Sequence, residues 1–82
     1  MKVDDKFSIK GRGTVVVGKL LCEKLYTGNT VIVNDKTYSV TAIEMNKKIL
    51  KFAEFGDYIS ILIRGLESYD TDKGDYIYKE MK

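Results

Sequence analysis

The sequence predicts a small, closed all-β barrel of six to seven short antiparallel strands. Three observations carry that expectation. Apolar residues alternate at period two in short runs, as in Phe7/Ile9 and Ile59/Ile61/Ile63. β-Branched residues dominate the strongest run, Thr14-Val15-Val16-Val17. Glycine, asparagine and aspartate punctuate these runs at short intervals, with no proline anywhere in the chain.

Met1 to Lys6 is a polar lead-in that contains the acidic pair Asp4-Asp5. Phe7 and Ile9, alternating with Ser8 and Lys10, form a short first strand with one core-facing side. Gly11-Arg12-Gly13 permits a sharp turn or bulge, because glycine reaches backbone angles closed to other residues. Thr14 to Val17 is the second strand. Gly18 lies inside a run that continues through Lys19 to Cys22, so it predicts a bend at a barrel corner.

Tyr26-Thr27-Gly28-Asn29 reads as a turn. Thr30 to Val33 and Lys36 to Met45 then form a hairpin across Asn34-Asp35, two residues that tolerate left-handed geometry. In the second arm Tyr38, Val40 and Ala42 share one face, while Ile43 and Met45 share the other. That change of phase predicts a β-bulge near Ala42-Ile43.

Residues 46–55 fit a short helix or a strand. The brief length and the lack of a cap favour a turn at Asn46-Lys47, a strand through about Phe52 and a loop ending at Gly56-Asp57. Tyr58 to Arg64 is a strand with an isoleucine face, and Leu62 on its other side implies cover on both faces. Gly65 ends it. Glu67 to Asp72 is a polar excursion with room for one helical turn, and Gly74 to Tyr78 is the final strand. No repeat, linker or low-complexity segment divides the chain, so residues 1–82 read as one domain.

Composition narrows the chemistry. Histidine is absent and Cys22 is the only cysteine, which removes an internal disulfide, the usual zinc sets and the Cys–His and Ser–His nucleophile pairs. Cys22 reads as a small core-facing or half-buried residue. The expectation is a protein without catalysis, metal or cofactor. No apolar run approaches the ~18 residues needed to span a bilayer, and the charged opening is unlike a signal peptide, so a cytoplasmic protein with no membrane partner is expected. Net charge is +2, unevenly spread. Residues 1–51 hold ten Lys/Arg and five Asp/Glu, a balance of +5, against four and seven, −3, in residues 52–82. That asymmetry is compatible with a basic face for an anionic partner, or with both halves mixed over one barrel surface.

The line Val3-Asp4-Asp5-Lys6-Phe7-Ser8-Ile9-Lys10-Gly11-Arg12-Gly13-Thr14-Val15-Val16-Val17-Gly18 closely resembles the opening of the second domain of elongation factor Tu, the barrel shared by translational GTPases. Further blocks follow in order: Gly28 before a strand, Ile43-Glu44-Met45, Gly56-Asp57, Leu62-Ile63-Arg64-Gly65 and Lys73-Gly74-Asp75. The resemblance spans roughly residues 3–78 and implies the translation-factor domain 2 fold. The family's nucleotide chemistry has no counterpart in these residues. No Gly-x-x-x-x-Gly-Lys-[Ser/Thr] loop is present, and Asn46-Lys47-Lys48-Ile49 lacks the aspartate of the guanine-reading motif, so no GTP is expected to bind.

In elongation factor Tu a pocket on this barrel helps hold the aminoacyl end of charged transfer RNA. The resemblance places Asp4, Asp5 and Phe7 on the matching side of that pocket. The family's threonine before the bend is Val17 here, its histidine–arginine pair is Asn46-Lys47, and its asparagine after Gly-Asp is Tyr58. Candidate partner-binding residues are therefore Asp4, Asp5, Phe7, Arg12, Lys47, Lys48, Tyr58 and Arg64. Lys47, Lys48 and Lys51 with Lys10, Arg12 and Lys19 form either a basic patch or a solvated face. The six tyrosines read as strand residues whose rings pack. The function expected is a non-catalytic binding module that contacts RNA, the ribosome or a translation-related protein. The alternative is a structural or protein-interaction subunit, or a homo-oligomer, with no nucleic-acid contact.

Overall fold

The computed structural model describes residues 1–81. Among the described residues, nine short strands and one 3-10 turn at Ser68–Asp70 make up the regular structure. In chain order the strands are β1 (Asp5–Ile9), β2 (Gly13–Lys19), β3 (Lys24–Tyr26), β4 (Thr30–Val33), β5 (Lys36–Met45), β6 (Lys48–Leu50), β7 (Phe52–Glu54), β8 (Tyr58–Ile63) and β9 (Tyr78–Lys79). Seven of them build one antiparallel sheet in the order β1-β2-β8-β5-β4-β9, with β6 added on β5. The other two, β3 and β7, pair with each other.

The all-β expectation therefore holds, but the closed barrel needs correction. Among the described residues no ladder joins β1 to β9. Residues 1–3 run beside 74–77 instead. The Val3 amide donates to the Asp75 carbonyl, the Gly74 amide to Val3 and the Ile77 amide to Met1. The final segment divides its backbone groups between two neighbours, which is why the expected Gly74–Tyr78 strand is not formed. Its first part bonds the N-terminal residues, and Tyr78–Lys79 pairs with Val31 and Ile32 of β4.

Gly18 is also not a corner. β2 continues through it, opposite Ile59 of β8. A Cβ at Gly18 would lie 2.0 Å from the Lys2 carbonyl oxygen. The absent side chain makes room for a second backbone crossing the strand.

Both hairpin turns form where the residues predict them. Asn34 and Asp35 have φ of 48° and 70°, and Asn46 and Lys47 have 53° and 65°. Two positive φ values give a type I′ turn, whose twist matches the flanking strands. The bulge falls between Val40 and Ala42, one residue before the predicted place. Thr41 is the extra residue, and the change of phase returns Ile43 to the core beside Val40.

The expected strand from Lys48 to Phe52 breaks at Lys51. β6 stays with β5, while β7 crosses to β3 and sets Ala53 inside, opposite Leu25. Lys24–Tyr26 is a strand that the sequence did not show, and the expected turn follows it, with the Asn29 amide donating to the Tyr26 carbonyl at 3.0 Å and Gly28 at φ of 95°.

The core lies on one side of the large sheet. Val16 of β2, Ile43 of β5 and Ile59, Ile61 and Ile63 of β8 face inward, joined by Leu20, Leu25 and Leu66. Two polar residues, Thr14 and Thr71, are also buried, and the Thr14 hydroxyl donates to the Leu66 carbonyl at 2.6 Å. That bond satisfies the group and ties the chain after Gly65 to β2. Cys22 is half-buried against the core, as expected, with its thiol 3.4 Å from the Lys24 carbonyl.

Candidate binding face

Alternation along the strands leaves a second set of side chains on the outer face of β1-β2-β8-β5. The register aligns them in rows. Phe7, Val15, Leu62 and Ala42 lie side by side across four strands. The next row is Asp5, Val17, Ser60 and Glu44, extended by Ile49 of β6. Together with Ile9, the first row floors a shallow depression of about 250 Å³ that Glu44 and Ser60 also line. Phe7 is 52% exposed, so its ring is an accessible wall and not core packing. Leu62, outward from the isoleucine face, is half-buried there, as its position in the sequence implied.

The two ends of this groove differ in charge. At one end Arg12 and Arg64 line a common depression with Thr41, Ala42 and Leu62. Arg12 is in the β1–β2 turn and Arg64 follows the end of β8. Gly13 makes the approach possible, because with φ of +130° it passes so close to β8 that a Cβ would sit 2.2 Å from the Ile63 carbonyl oxygen. Both arginines are exposed, and neither is in an ion pair among the described residues. Two guanidinium groups with unused donors suit phosphate or carboxylate oxygens.

At the other end Asp4 and Asp5 meet Tyr58. The Asp4 amide donates to the Val17 carbonyl, and Tyr58 is opposite Lys19 in the next row of the ladder. The Tyr58 hydroxyl is held above the usual phenol value near 10. Reduced hydration is the largest cause, followed by a hydrogen bond to Asp4 and the negative charge of Asp4 and Asp5. Asp5 lies 3.6 Å from the Lys73 ammonium at the surface.

The structure thus brings together six of the eight candidate residues along one face: Asp4, Asp5, Phe7, Tyr58, Arg12 and Arg64. Lys47 and Lys48 are placed elsewhere. They occupy the tip and outgoing arm of the β5–β6 hairpin and do not line the groove. The lysines expected to form a basic patch are likewise spread over both ends of the sheet, with Lys19 at the far end of β2 from Arg12. Of the tyrosines, Tyr38 packs against the core, whereas Tyr26, Tyr58, Tyr69, Tyr76 and Tyr78 are exposed. Sequence reasoning missed the floor residues Ile9, Val15 and Ala42, which look like ordinary strand residues until the register aligns them. Among the described residues no group of three His, Cys, Asp or Glu side chains is placed to hold a metal ion. Nor is any helix among those residues long and apolar enough to cross a membrane.

No family model matches the chain. Among solved structures, translation elongation factor SelB from Methanococcus maripaludis, in its apo form, is similar over 96% of this chain, with a TM-score of 0.85 and 28% identity. The chain spans 18% of the length of that factor. The resemblance to a domain of the translational GTPases, read from the residues above, is thus present in three dimensions as well.

Proposed function

We propose that this chain is a non-catalytic binding module of the translation machinery, a cytoplasmic unit formed by the whole of residues 1–82, which engages RNA through the outer face of β1-β2-β8-β5. The observation that carries the proposal is the polarity of the groove. Two arginines without an ion-pair partner among the described residues stand at one end, an apolar floor with an exposed phenylalanine in the middle, and a carboxylate–phenol cluster at the other. Arg12 and Arg64 suit backbone phosphates, Phe7 suits a stacked base or another flat group, and Asp4, Asp5 and Tyr58 suit a hydroxyl or amine. The likeness to SelB supports translation as the setting.

Three of the pocket positions carried over from elongation factor Tu differ chemically. Val17 sits in the groove row where the family has threonine, Tyr58 replaces asparagine, and Asn46-Lys47 is spent on a turn. The ligand is therefore expected to share the shape of an RNA end without making identical contacts. Titration against transfer RNA and against ribosomes at two salt concentrations tests the reading. Saturable binding that weakens steeply with salt, through counterion release, is expected. Flat, unsaturable titrations at low salt would end it.

A protein-interaction reading is favoured by a separate observation. The exposed Phe7 stands over an apolar floor in a chain that matches only 18% of a longer factor, so this face is a candidate for packing against a further domain or a second copy. Light scattering separates the readings: a monomer that binds RNA supports the first, and a stable dimer that loses RNA binding supports the second.

A further inference from the structure

A mostly apolar recess shares no residue with the groove. It opens between β9 and the chain after β2, and has a volume of about 260 Å³. Its floor is built from core residues, among them Leu20, Leu25, Val31 and Ile61. Its mouth is framed by Leu21, Tyr76 and Tyr78, all substantially exposed, with the two tyrosine rings 6.4 Å apart. An apolar cavity of about 150 Å³ already stays dry and admits a benzene-sized guest, so this recess has room for a short aliphatic chain.

The polar groups at the wall are few. Cys22 contributes a half-buried thiol. Lys79 contributes the one cationic side chain of the lining, and the Met1 α-ammonium, on another lining residue, is buried and spent on the Ile77 carbonyl at 2.7 Å. The Lys79 ammonium donates to the Lys24 carbonyl at 3.1 Å and lies 5.9 Å from the centre of the Tyr26 ring. It has no carboxylate partner among the described residues. The backbone bond and the ring hold the ammonium at the rim while leaving its remaining donors unused.

We propose that this recess is a binding site for a medium-chain aliphatic carboxylate, with the chain on the leucine and isoleucine floor and the carboxylate on Lys79. An apolar interior selects the tail, and the Lys79 ammonium at the mouth, without a carboxylate partner among the described residues, selects a single negative head. The assignment is independent of the groove and of any RNA contact.

Cys22 provides the readout, because it is the only cysteine and lines the recess. Octanoate is titrated into the full chain, and the rate of thiol alkylation by N-ethylmaleimide is followed. Saturable slowing is expected. Hexanoate, two methylenes shorter, protects about fifteenfold more weakly, at about fourfold per methylene withdrawn from water. Acetate gives no protection. Lys79→Met weakens octanoate about tenfold and leaves octanol unaffected. Amide spectra of the variant verify that it is folded, and the chain-length series needs no variant. Unchanged alkylation at all octanoate concentrations below micelle formation overturns the proposal. So does octanol protecting as well as octanoate, or protection indifferent to Lys79.

Discussion

Replacing Gly18 by alanine is a test of sign as well as size. In an unobstructed strand, alanine in place of glycine stabilises by about 0.5–1 kcal/mol, because the unfolded chain loses less freedom. At Gly18 the new methyl group would meet the Lys2 carbonyl oxygen at 2.0 Å and its carbon at 3.1 Å. The atoms struck are backbone, so no side-chain rotation relieves the clash. Residues 1–3 must lift away from β2. Those residues carry the Val3–Asp75, Gly74–Val3 and Ile77–Met1 hydrogen bonds that join the two edges of the sheet. Overpacking costs about 1–3 kcal/mol, and each lost hydrogen bond adds about 1 kcal/mol. Gly18→Ala should therefore destabilise by about 2–4 kcal/mol. In a domain of this size that lowers Tm by about 10–30 °C. Urea unfolding should show a lower midpoint with little change in slope. Hydrogen exchange should show Val3 and Ile77 amides losing protection first. A Gly18→Ala protein as stable as the parent would refute the crossing of Lys2 over β2.

Three further substitutions probe separate parts of the account. Thr14→Val keeps the shape but leaves the Leu66 carbonyl without its buried donor, and should cost about 1–3 kcal/mol in the same urea assay. Lys47→Gly relieves a non-glycine residue at φ of 65° and should stabilise by up to about 1 kcal/mol. Because Lys47 lies outside the groove, that variant should bind RNA as the parent does. Asp4→Asn should lower the Tyr58 pKa toward 10, seen as an earlier rise of phenolate absorbance on alkaline titration. The folded state holds the Tyr58 proton more tightly than the unfolded chain. Its contribution to stability is therefore complete below pH 10 and is lost as pH rises through the folded value.

The turns and the main strands were legible because their causes are local. Asn34-Asp35 and Asn46-Lys47 announce left-handed turns, and the phase change after Val40 announces a bulge within one residue of its place. What stayed hidden depends on partners distant in sequence. Gly18 resembles a corner glycine unless Lys2 is known to cross it, and Lys51 shows no mark of the switch from β5 to β3. The candidate site divides in the same way. Asp4, Asp5, Phe7 and Tyr58 were proposed through the family resemblance; Asp4 and Asp5 lie beside Tyr58, and Phe7 lies farther along the same face. Grouping Lys47 and Lys48 with them failed because adjacency in a list of basic residues says nothing about register. The floor of Val15, Ala42 and Leu62 becomes visible only when three strands are aligned.

The groove as an RNA-binding face is tested most directly by amide chemical-shift mapping during titration with aminoacylated transfer RNA, alongside an Arg12→Ala/Arg64→Ala variant. The account predicts saturable shifts confined to Asp5, Phe7, Val15, Ala42, Ser60 and Leu62 and their neighbours. It also predicts a salt slope about two units shallower in the double variant, about one for each arginine withdrawn from a phosphate. Shifts centred on the Lys47–Lys48 hairpin, or a salt slope unchanged by loss of both arginines, would contradict it.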